Sequence, residues 1–409
     1  MSASVGSDEL MYVRDRHLPY PTFDVDNHLY ENREALTKFL PKEYDGVIRY
    51  VEVNGRTKLA IRDVISDYIP NPTFGKVAVP GGYGRDVTKG GEGFGPTGGR
   101  VRSMPSLNAF FDPEPRLELM QDMGIDRTLL WPTLASVVEE RLADDPDAAC
   151  VVVRALNDWM HEHWTYVYAD AIFATPIISL AVMDQAMEEL HRIHERGAKL
   201  FLLRVAPVPT WKGRRSFALP EFDPFWEEVQ RLDLVVGMHS GDPGYQRYIN
   251  DWEGSGREFR PFGGSGSPAF ISLMSEKSPL IDAMASIIGH GLATRFPRLR
   301  FAPVEYASSW VRPFVAKLRH TYESSAPLFD EDPFEVFVLN IWIHVFHEPD
   351  PGGLLELGIP ADHLMFGSDF PHPEGMADPL AYSEIVQELP ADTQALIMGG
   401  SLAKLLKVA

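Results

Sequence analysis

The sequence predicts an α/β protein of the (β/α)8 TIM-barrel class, with a long insertion after the first strand. Three observations lead to this prediction. Eight short apolar segments alternate with helical segments, polar residues follow most of these apolar segments, and a length of 409 residues suits one large barrel with insertions. Since 44% of the residues are hydrophobic, such a fold can bury a sizeable core.

The first strand is predicted at 20–28, and a long excursion at 31–115 follows it. We therefore expect one domain over 1–409, with 31–115 as an insertion containing a β-hairpin and a glycine-rich loop. The hairpin is predicted at 47–61, because alternating apolar residues there flank an Asn-Gly pair suited to a type I′ turn.

The glycine-rich stretch at 75–99 has no Walker pattern and no strand–loop–helix context. It is interpreted as a lid or a partner-contacting loop rather than as a phosphate site.

A regular alternation of strands and helices is predicted from residue 115 onward. The other seven strands are expected at 127–131, 172–179, 200–205, 234–239, 299–305, 337–344 and 364–369. The helices are expected at 116–123, 147–168, 183–196, 224–232, 278–289, 309–322 and 353–357, with more between 380 and 406. This alternation favours a closed barrel over an open doubly wound sheet.

Composition and charge argue against several classes of binding partner. The net charge is −20 and there is no Lys/Arg-rich tract, which argues against nucleic acid. No apolar run approaches the ~18 residues of a membrane span, and the N-terminus lacks the features of a signal peptide. The single cysteine, Cys150, cannot form an internal disulfide. We expect a cytoplasmic protein that contacts neither membranes nor nucleic acid.

The chemistry of the chain is expected where its strands end. The apolar run Leu364–Phe366 stops at Gly-Ser-Asp369, which places a carboxylate at the carboxyl end of the last strand. Asp26 and His28 are two positions apart on the first strand, so both side chains point to one face. His239 ends the fifth strand in the same way.

In a TIM barrel, the carboxyl ends of the strands meet at one face. Imidazole and carboxylate groups gathered there suit Zn²⁺, Mn²⁺ or Fe²⁺. The polar or aromatic residues expected at that face are Asp26, His28, Trp131, Arg204, His239, Glu305, His344 and Asp369.

These motifs resemble the amidohydrolase superfamily, specifically its branch of amidohydrolase-related decarboxylases and hydrolases. The resemblance rests on Asp26-Asn-His28, His239-Ser-Gly-Asp and Phe366-Gly-Ser-Asp369-Phe-Pro-His372, and spans nearly the whole chain. It implies that Asp26, His28, His239 and Asp369 are metal ligands, with Asp369 also acting as proton acceptor.

The sequence also departs from that branch. Its decarboxylases commonly end the sixth strand with a catalytic histidine, whereas this chain has Glu305 there. The fourth strand offers Arg204, which cannot be the bridging ligand of two-metal amidohydrolases. Glu305, His290 and His344 are candidates for further ligands, and an oxygenase branch of the superfamily is thought to bind two irons.

Other residues have two interpretations each. Arg204 could clamp a substrate carboxylate or form a structural ion pair. Trp131 could line the substrate site or belong to the core. His372 could orient substrate. Glu305 could be a ligand or acid/base, or could hold a ligand histidine. His290 falls at a helix end, where the helix dipole suffices to explain it.

The leading functional hypothesis is a metal-dependent hydrolase that uses metal-activated water on a small organic acid, amide or ester. His239 and Glu305 would join Asp369 in catalysis, with one or two divalent ions, zinc first and iron or manganese as alternatives. The alternatives are a non-oxidative decarboxylase, an O₂-dependent monooxygenase with a dinuclear iron or iron/manganese site, and a catalytically silent structural subunit. A small-molecule substrate and a homo- or hetero-oligomer are expected.

Overall fold

The computed structural model describes residues 10, 12–14, 16–66, 68–82, 102–254, 270, 274, 278–346 and 350–408. Most of the predicted glycine-rich loop therefore lies outside the described residues. In the described part of the chain, no helix combines the length and apolar character needed to cross a lipid bilayer.

The fold is a mixed α/β fold built around short parallel strands. In chain order the strands are β1 (Phe23–Asp24), β2 (His28–Leu29), β3 (Ile48–Val53), β4 (Arg56–Ile61), β5 (Val64–Ser66), β6 (Lys76–Ala78), β7 (Ser103–Pro105), β8 (Arg127–Pro132), β9 (Val167–Tyr168), β10 (Ile172–Ala174), β11 (Leu200–Leu202), β12 (Val208–Thr210), β13 (Gly213–Arg215), β14 (Val235–His239), β15 (Phe301–Val304), β16 (Ile343–Val345) and β17 (Leu364–Phe366).

Helices separate most of the parallel strands. They are α1 (Pro113–Met123), α2 (Val138–Arg141), α3 (Pro146–Trp164), α4 (Met183–Glu195), α5 (Asp223–Leu232), α6 (Gln246–Glu253), α7 (Ser278–Gly289), α8 (Leu292–Arg295), α9 (Val311–Ser325), α10 (Pro333–Asn340), α11 (Gly352–Glu356), α12 (Ser383–Val386), α13 (Ala391–Ala395) and α14 (Ser401–Leu406).

Three groups of parallel strands form the centre of the molecule. They are β1–β8–β10, β11–β14–β15 and β16–β17. Main-chain hydrogen bonds join these groups: Leu202 N donates to Pro176 O (2.7 Å), Trp342 N to Phe301 O (2.9 Å) and Val25 N to Phe366 O (3.0 Å). The carboxyl ends of these strands therefore lie at one edge.

One predicted strand is wrong. The structure has helix α10 at Pro333–Asn340 and places the seventh central strand later, at Ile343–Val345. An apolar run of this length fits either a buried helix or a buried strand. The deciding signal was Asp332-Pro333: the carboxylate of Asp332 accepts a hydrogen bond from Phe334 N at 2.8 Å, and proline occupies the first helical position.

The first strand is also interrupted. The segment predicted as one strand contains β1 and, three residues after it, β2. The carboxylate of Asp24 accepts a hydrogen bond from Asp26 N at 3.0 Å, so a side chain replaces strand pairing at this point.

An apolar cluster lies beneath the carboxyl ends of the strands. It combines strand residues with three leucines of α14, which supports the site from below; its members include Phe23, Val25, Leu129, Trp131, Phe173, Val235, Val304, Met365, Leu402, Leu405 and Leu406. Each such fully buried large side chain contributes about 2 kcal/mol.

An antiparallel sheet of β3, β4 and β5 lies between β2 and β8 in the chain. Its tight turn has Asn54 and Gly55 at φ 52° and 73°, as a type I′ turn requires.

Candidate metal centre

Five polar side chains converge where β2, β14, β15 and β17 end. Asp26 and His28 come from the first strand, His239 ends β14, Glu305 directly follows β15, and Asp369 follows β17 by three residues. Four of these side chains are buried, and Glu305 is 19% exposed.

His28 lies at the centre of this cluster. Its Nε2 is 3.5 Å from Asp26 Oδ1, 3.4 Å from Glu305 Oε2 and 3.4 Å from Asp369 Oδ1. His239 Nε2 is 3.3 Å from Asp26 Oδ1 and 3.0 Å from Glu305 Oε2. Two histidines and three carboxylates therefore face a common point.

The donor set fits a divalent cation. Among the residues that the structure describes, Asp26 Oδ2, His28 Nε2 and both carboxylate oxygens of Asp369 are buried and have no hydrogen-bond partner. Buried polar atoms are nearly always paired, and unpaired carboxylate oxygens beside imidazoles are the arrangement that a metal ion satisfies. The site would hold the ion through Asp26, His28, His239, Glu305 and Asp369.

The charges of the site are strongly coupled. Burial lowers the pKa of His28, but the neighbouring carboxylates of Asp26, Asp369 and Glu305 outweigh it and raise that pKa to about 10. For His239, burial is outweighed above all by the charge of Glu305, so its pKa also rises to about 10. The imidazoles thus hold protons at the positions that a metal ion would take.

The carboxylates divide into two groups. Although burial opposes it, the two histidines hold the pKa of Asp26 below its ordinary value, and His239 lowers that of Glu305 to about 2. Burial and the charge of Glu305 instead raise the pKa of Asp369 well above its ordinary value, and raise that of Glu374 to about 8. Asp369 is therefore the carboxylate best placed to accept a proton.

Two of the converging residues have left-handed backbones. The φ angles are 65° at Glu305 and 56° at Asp369. Non-glycine residues in this region cost about 1 kcal/mol or more, and they cluster at functional sites. The strain at the strand ends aims both carboxylates at His28.

Gly367, which directly follows β17, is required because there is no space for a side chain at this position. A Cβ on Gly367 would collide with His344 Nε2 and would lie 2.8 Å from Asp26 Cβ. Only glycine leaves room here for β17 to pass the first strand.

His344 lies beside the cluster and supports it. Its Nδ1 accepts a hydrogen bond from Glu305 N at 3.0 Å and is 3.6 Å from Asp26 Oδ2. The observed contacts place it as a partner that holds the Glu305 backbone.

The remaining predicted residues are placed differently. His372 Nδ1 lies 2.9 Å from Asp369 Oδ1, and its ring stacks on His28 with centroids 3.8 Å apart. Trp131 is fully buried below His239, and its Nε1 donates to Val25 O at 2.8 Å. His290 is exposed at the end of α7, beside Ser286, and is not brought to the cluster.

A family model described as amidohydrolase matches residues 102–408 of the sequence. The chain belongs to the amidohydrolase family. This confirms the resemblance inferred from its strand-end motifs. No curated protein matches the sequence.

Solved structures agree with the fold. An amidohydrolase from Mycobacterium avium subsp. paratuberculosis K-10 is 31% identical, with a TM-score of 0.85, and the match covers 95% of this chain and 100% of the other. A 2,6-dihydroxybenzoate decarboxylase from Rhizobium is 20% identical, with a TM-score of 0.55 and coverage of 73% and 89%.

A 5-carboxyvanillate decarboxylase from Novosphingobium aromaticivorans DSM 12444, solved with manganese and 4-hydroxy-3-methoxy-5-nitrobenzoic acid, is 16% identical. Its TM-score is 0.60, and the match covers 97% of this chain and 100% of the other. At these identities the two decarboxylases support the fold of the amidohydrolase.

A buried network that sequence reasoning missed positions the site in this amidohydrolase. Asp24 Oδ1 accepts from Asp26 N (3.0 Å) and Ser368 N (2.9 Å), and its Oδ2 accepts from Asn27 Nδ2 (2.9 Å). One carboxylate thus ties the first strand to the Gly-Ser-Asp turn. The only signal in the sequence was a second aspartate two positions before Asp26.

Arg116 completes the network. It is fully buried, and its guanidinium donates to Asn27 Oδ1 (2.5 Å), His28 O (2.5 Å) and Ala109 O (2.6 Å). A helix residue far away in the sequence therefore fixes the main chain of a predicted ligand.

A cleft opens beside His239, with an open volume of about 460 Å³. Arg204 is in its wall, as are Glu139, Tyr306 and the turn after β14. Arg204 also pairs with Glu140, as the interpretation of a structural ion pair predicts, and its role as a substrate clamp stays a prediction.

Proposed function

We propose that this amidohydrolase is a metal-dependent hydrolase that attacks a small organic acid, amide or ester with metal-activated water. The observation that carries the proposal is the convergence of five side chains, three of which have buried oxygen or nitrogen atoms without a hydrogen-bond partner among the described residues. When bound, a divalent ion would lower the pKa of a water molecule and polarise the substrate carbonyl. Zinc is our first choice of metal, with manganese as the alternative.

Asp369 is proposed as the proton carrier. As a carboxylate 3.4 Å from His28 Nε2, it would take a proton from the attacking water and deliver it to the leaving nitrogen or oxygen. The water oxygen forms the new bond to the carbonyl carbon as the bond to the leaving group breaks. His372, 2.9 Å from Asp369 Oδ1, would orient the carboxylate during the transfer.

Non-oxidative decarboxylation is less well supported. It needs an acid that protonates carbon, and Glu305 occupies the position where the resemblance implies a histidine. As a predicted metal ligand, Glu305 would be ionised and would not supply that proton.

A two-metal oxygenase is a second candidate, because the possible ligands form two overlapping groups. One contains Asp26, His28, His239 and Glu305; the other shares His28 and Glu305 and adds Asp369 and His372. His372 would then take the place that the sequence suggested for His290 or His344.

Metal analysis tests these proposals. The chain would be purified without chelators, its metals quantified by mass spectrometry, and the protein loaded with Zn²⁺ or Mn²⁺ and offered matched esters, amides and acids. One ion per chain with ester or amide cleavage supports hydrolysis. Carbon dioxide release from the acids would instead support decarboxylation, and two irons with O₂ consumption the oxygenase. Failure to bind any divalent ion would contradict all three.

We also propose that the parallel strands close into a (β/α)8 barrel with 31–115 as an insertion. The bonds between β17 and the first strand support this closure, since His28 N donates to Phe370 O (2.8 Å) and Asp369 N to Asp26 O (2.7 Å). The same bonds fix Asp26, His28 and Asp369 relative to each other.

A further inference from the structure

We propose that Arg204 binds a substrate carboxylate in the cleft beside His239, so the substrate carries a free carboxylate apart from its reacting group. The choice of reacting group rests on the proposed function. The carboxylate subsite rests on the cleft alone.

The guanidinium of Arg204 is held in one orientation. Its Nε donates to Asp242 O at 2.9 Å, and its Nη2 donates to the carboxylate of Glu140. Nη1 is buried and has no acceptor among the described residues, although Arg204 lines the cleft. An arginine cannot lose its proton, and buried N–H groups are nearly always paired, so this donor is satisfied by an acceptor from a ligand or by a bound water that a ligand can displace.

Arg204 is also fixed relative to the metal centre. Asp242, whose carbonyl accepts from Arg204, lies three residues after His239 in the turn that follows β14. At the end of this turn, a Cβ on Gly244 (φ 73°) would lie 2.6 Å from Glu140 Oε2. The turn packs directly on Glu140, so the predicted ligand and the free donor share one rigid support.

The local charge favours an anion. Among the described residues, four arginines surround this wall of the cleft, against three carboxylates: Arg141, Arg204, Arg214 and Arg247, with Glu139, Glu140 and Asp242. The Glu140 carboxylate accepts hydrogen bonds from three of these arginines, so its negative charge is already paired. A carboxylate is the ligand that forms a short charge-assisted bond with the remaining N–H.

The rest of the cleft indicates what the carboxylate is attached to. Apolar side chains form much of the wall: Pro132, Ala135, Ile177, Leu202 and Val205. We infer a substrate with an apolar body, a carboxylate at Arg204 and its reacting group toward His239.

The test uses the monoamides of diacids, each compared with its diamide. The monoamides and diamides of phthalate, isophthalate, terephthalate and adipate would be titrated by calorimetry into zinc-loaded and metal-free protein. For at least one pair, the monoamide should bind about tenfold or more tightly than the diamide, because only the monoamide keeps a carboxylate for Arg204. If wild-type protein prefers no monoamide, the subsite is wrong.

Arg204→Gln should remove that preference while diamide binding persists. Arg214→Gln is the matched control, because Arg214 also pairs with Glu140 but does not line the cleft. The proposal is overturned if Arg204→Gln keeps the preference, or if Arg214→Gln loses it equally.

A third variant covers the case in which Arg204→Gln does not fold. Ala135→Asp places a negative charge in the cleft wall and should weaken monoamide binding at least tenfold more than diamide binding. Equal weakening of both probes would overturn the subsite. The titrations with metal-free protein test the carboxylate subsite independently of the metal. If the protein binds no metal, the proposed function is refuted, and these titrations still decide whether Arg204 binds a carboxylate.

Discussion

The cluster around His28 and the cluster around Glu140 are built from similar charged groups but have opposite balances. Around His28, three carboxylates face two histidines, and several carboxylate oxygens have no hydrogen-bond partner within the described chain. Around Glu140, three arginines satisfy one carboxylate, and the unsatisfied atom is an arginine nitrogen.

This difference separates binding sites from structural ion pairs in one molecule. A charged cluster whose partners are complete contributes to stability, whereas an unpaired atom identifies the charge of the missing ligand. By our proposals, the first cluster would bind a cation, and Arg204 in the second would bind an anion. Removing one carboxylate from each cluster should therefore have different consequences.

Asp369→Asn should have the largest effect. Since even the partners of metal ligands change affinity about 10–100-fold, loss of this ligand should lower metal affinity more than about 100-fold and abolish hydrolysis. The metal-free variant should melt at or above the wild-type temperature, because burial and Glu305 already disfavour the ionised form of Asp369. Chelator competition and thermal melting check both expectations. Asp362→Asn, on the exposed surface, is the control; unchanged metal affinity in Asp369→Asn would remove this residue from the site.

Glu140→Gln should show the reverse pattern. It leaves three arginines around a neutral amide and should cost about 3 kcal/mol of unfolding free energy, as expected for a broken buried ion pair. Metal affinity should stay unchanged. Urea denaturation measures the first quantity, and Glu221→Gln, in an exposed pair with Arg215, should leave it nearly unchanged. A loss of metal in Glu140→Gln would show that the two clusters are not independent.

Metal affinity should rise with pH by about a hundredfold per unit between pH 6 and 8, because the ion must displace one proton from each of His28 and His239. In metal-free protein the pKa of both His28 and His239 is about 10. Because the pKa of a histidine in the unfolded chain is about 6.5, these raised pKa values stabilise the folded state fully below pH ~6.5. That stabilisation is lost as the pH rises through 10. Metal-free protein should thus lose stability over this range. Competition titrations and melting curves at several pH values test this, and a pH-independent affinity would contradict it.

Asp24→Asn should have the smallest effect, a decrease in metal affinity of about tenfold, because it disturbs the support rather than a ligand. The Asp24 carboxylate accepts a hydrogen bond from Asn27 Nδ2. In the variant, the NH2 group of the new amide would face this donor, and the hydrogen bond would be lost. Asp126→Asn is the matched control, since Asp126 accepts from Thr22 N at 2.8 Å, just before β1. Equal effects of the two variants would mean that Asp24 acts on stability alone.

The residues that sequence reasoning located share a local signature. Asp26, His28, His239, Glu305 and Asp369 each end or follow an apolar strand, and parallel strands bring such ends together. His290 followed a helix instead, and the structure leaves it exposed.

What could not be predicted depends on contacts between distant segments. Asp24 and Arg116 act through main-chain atoms of other strands, and no periodicity in the sequence indicates such partners. Helix α10 was mistaken for a strand because its apolar run fits both periods. For Arg204, only the position of Glu140 shows which donor remains free.

The left-handed backbone of Glu305 implies a trade-off between the stability of the fold and catalytic activity. Glycine at this position would relieve the strain and should stabilise the fold by up to about 1 kcal/mol, but would remove a carboxylate from the metal centre. A related protein that no longer catalyses the reaction would gain stability from glycine at this position. The residue at position 305 in related chains would therefore record whether selection has maintained catalysis or only the scaffold.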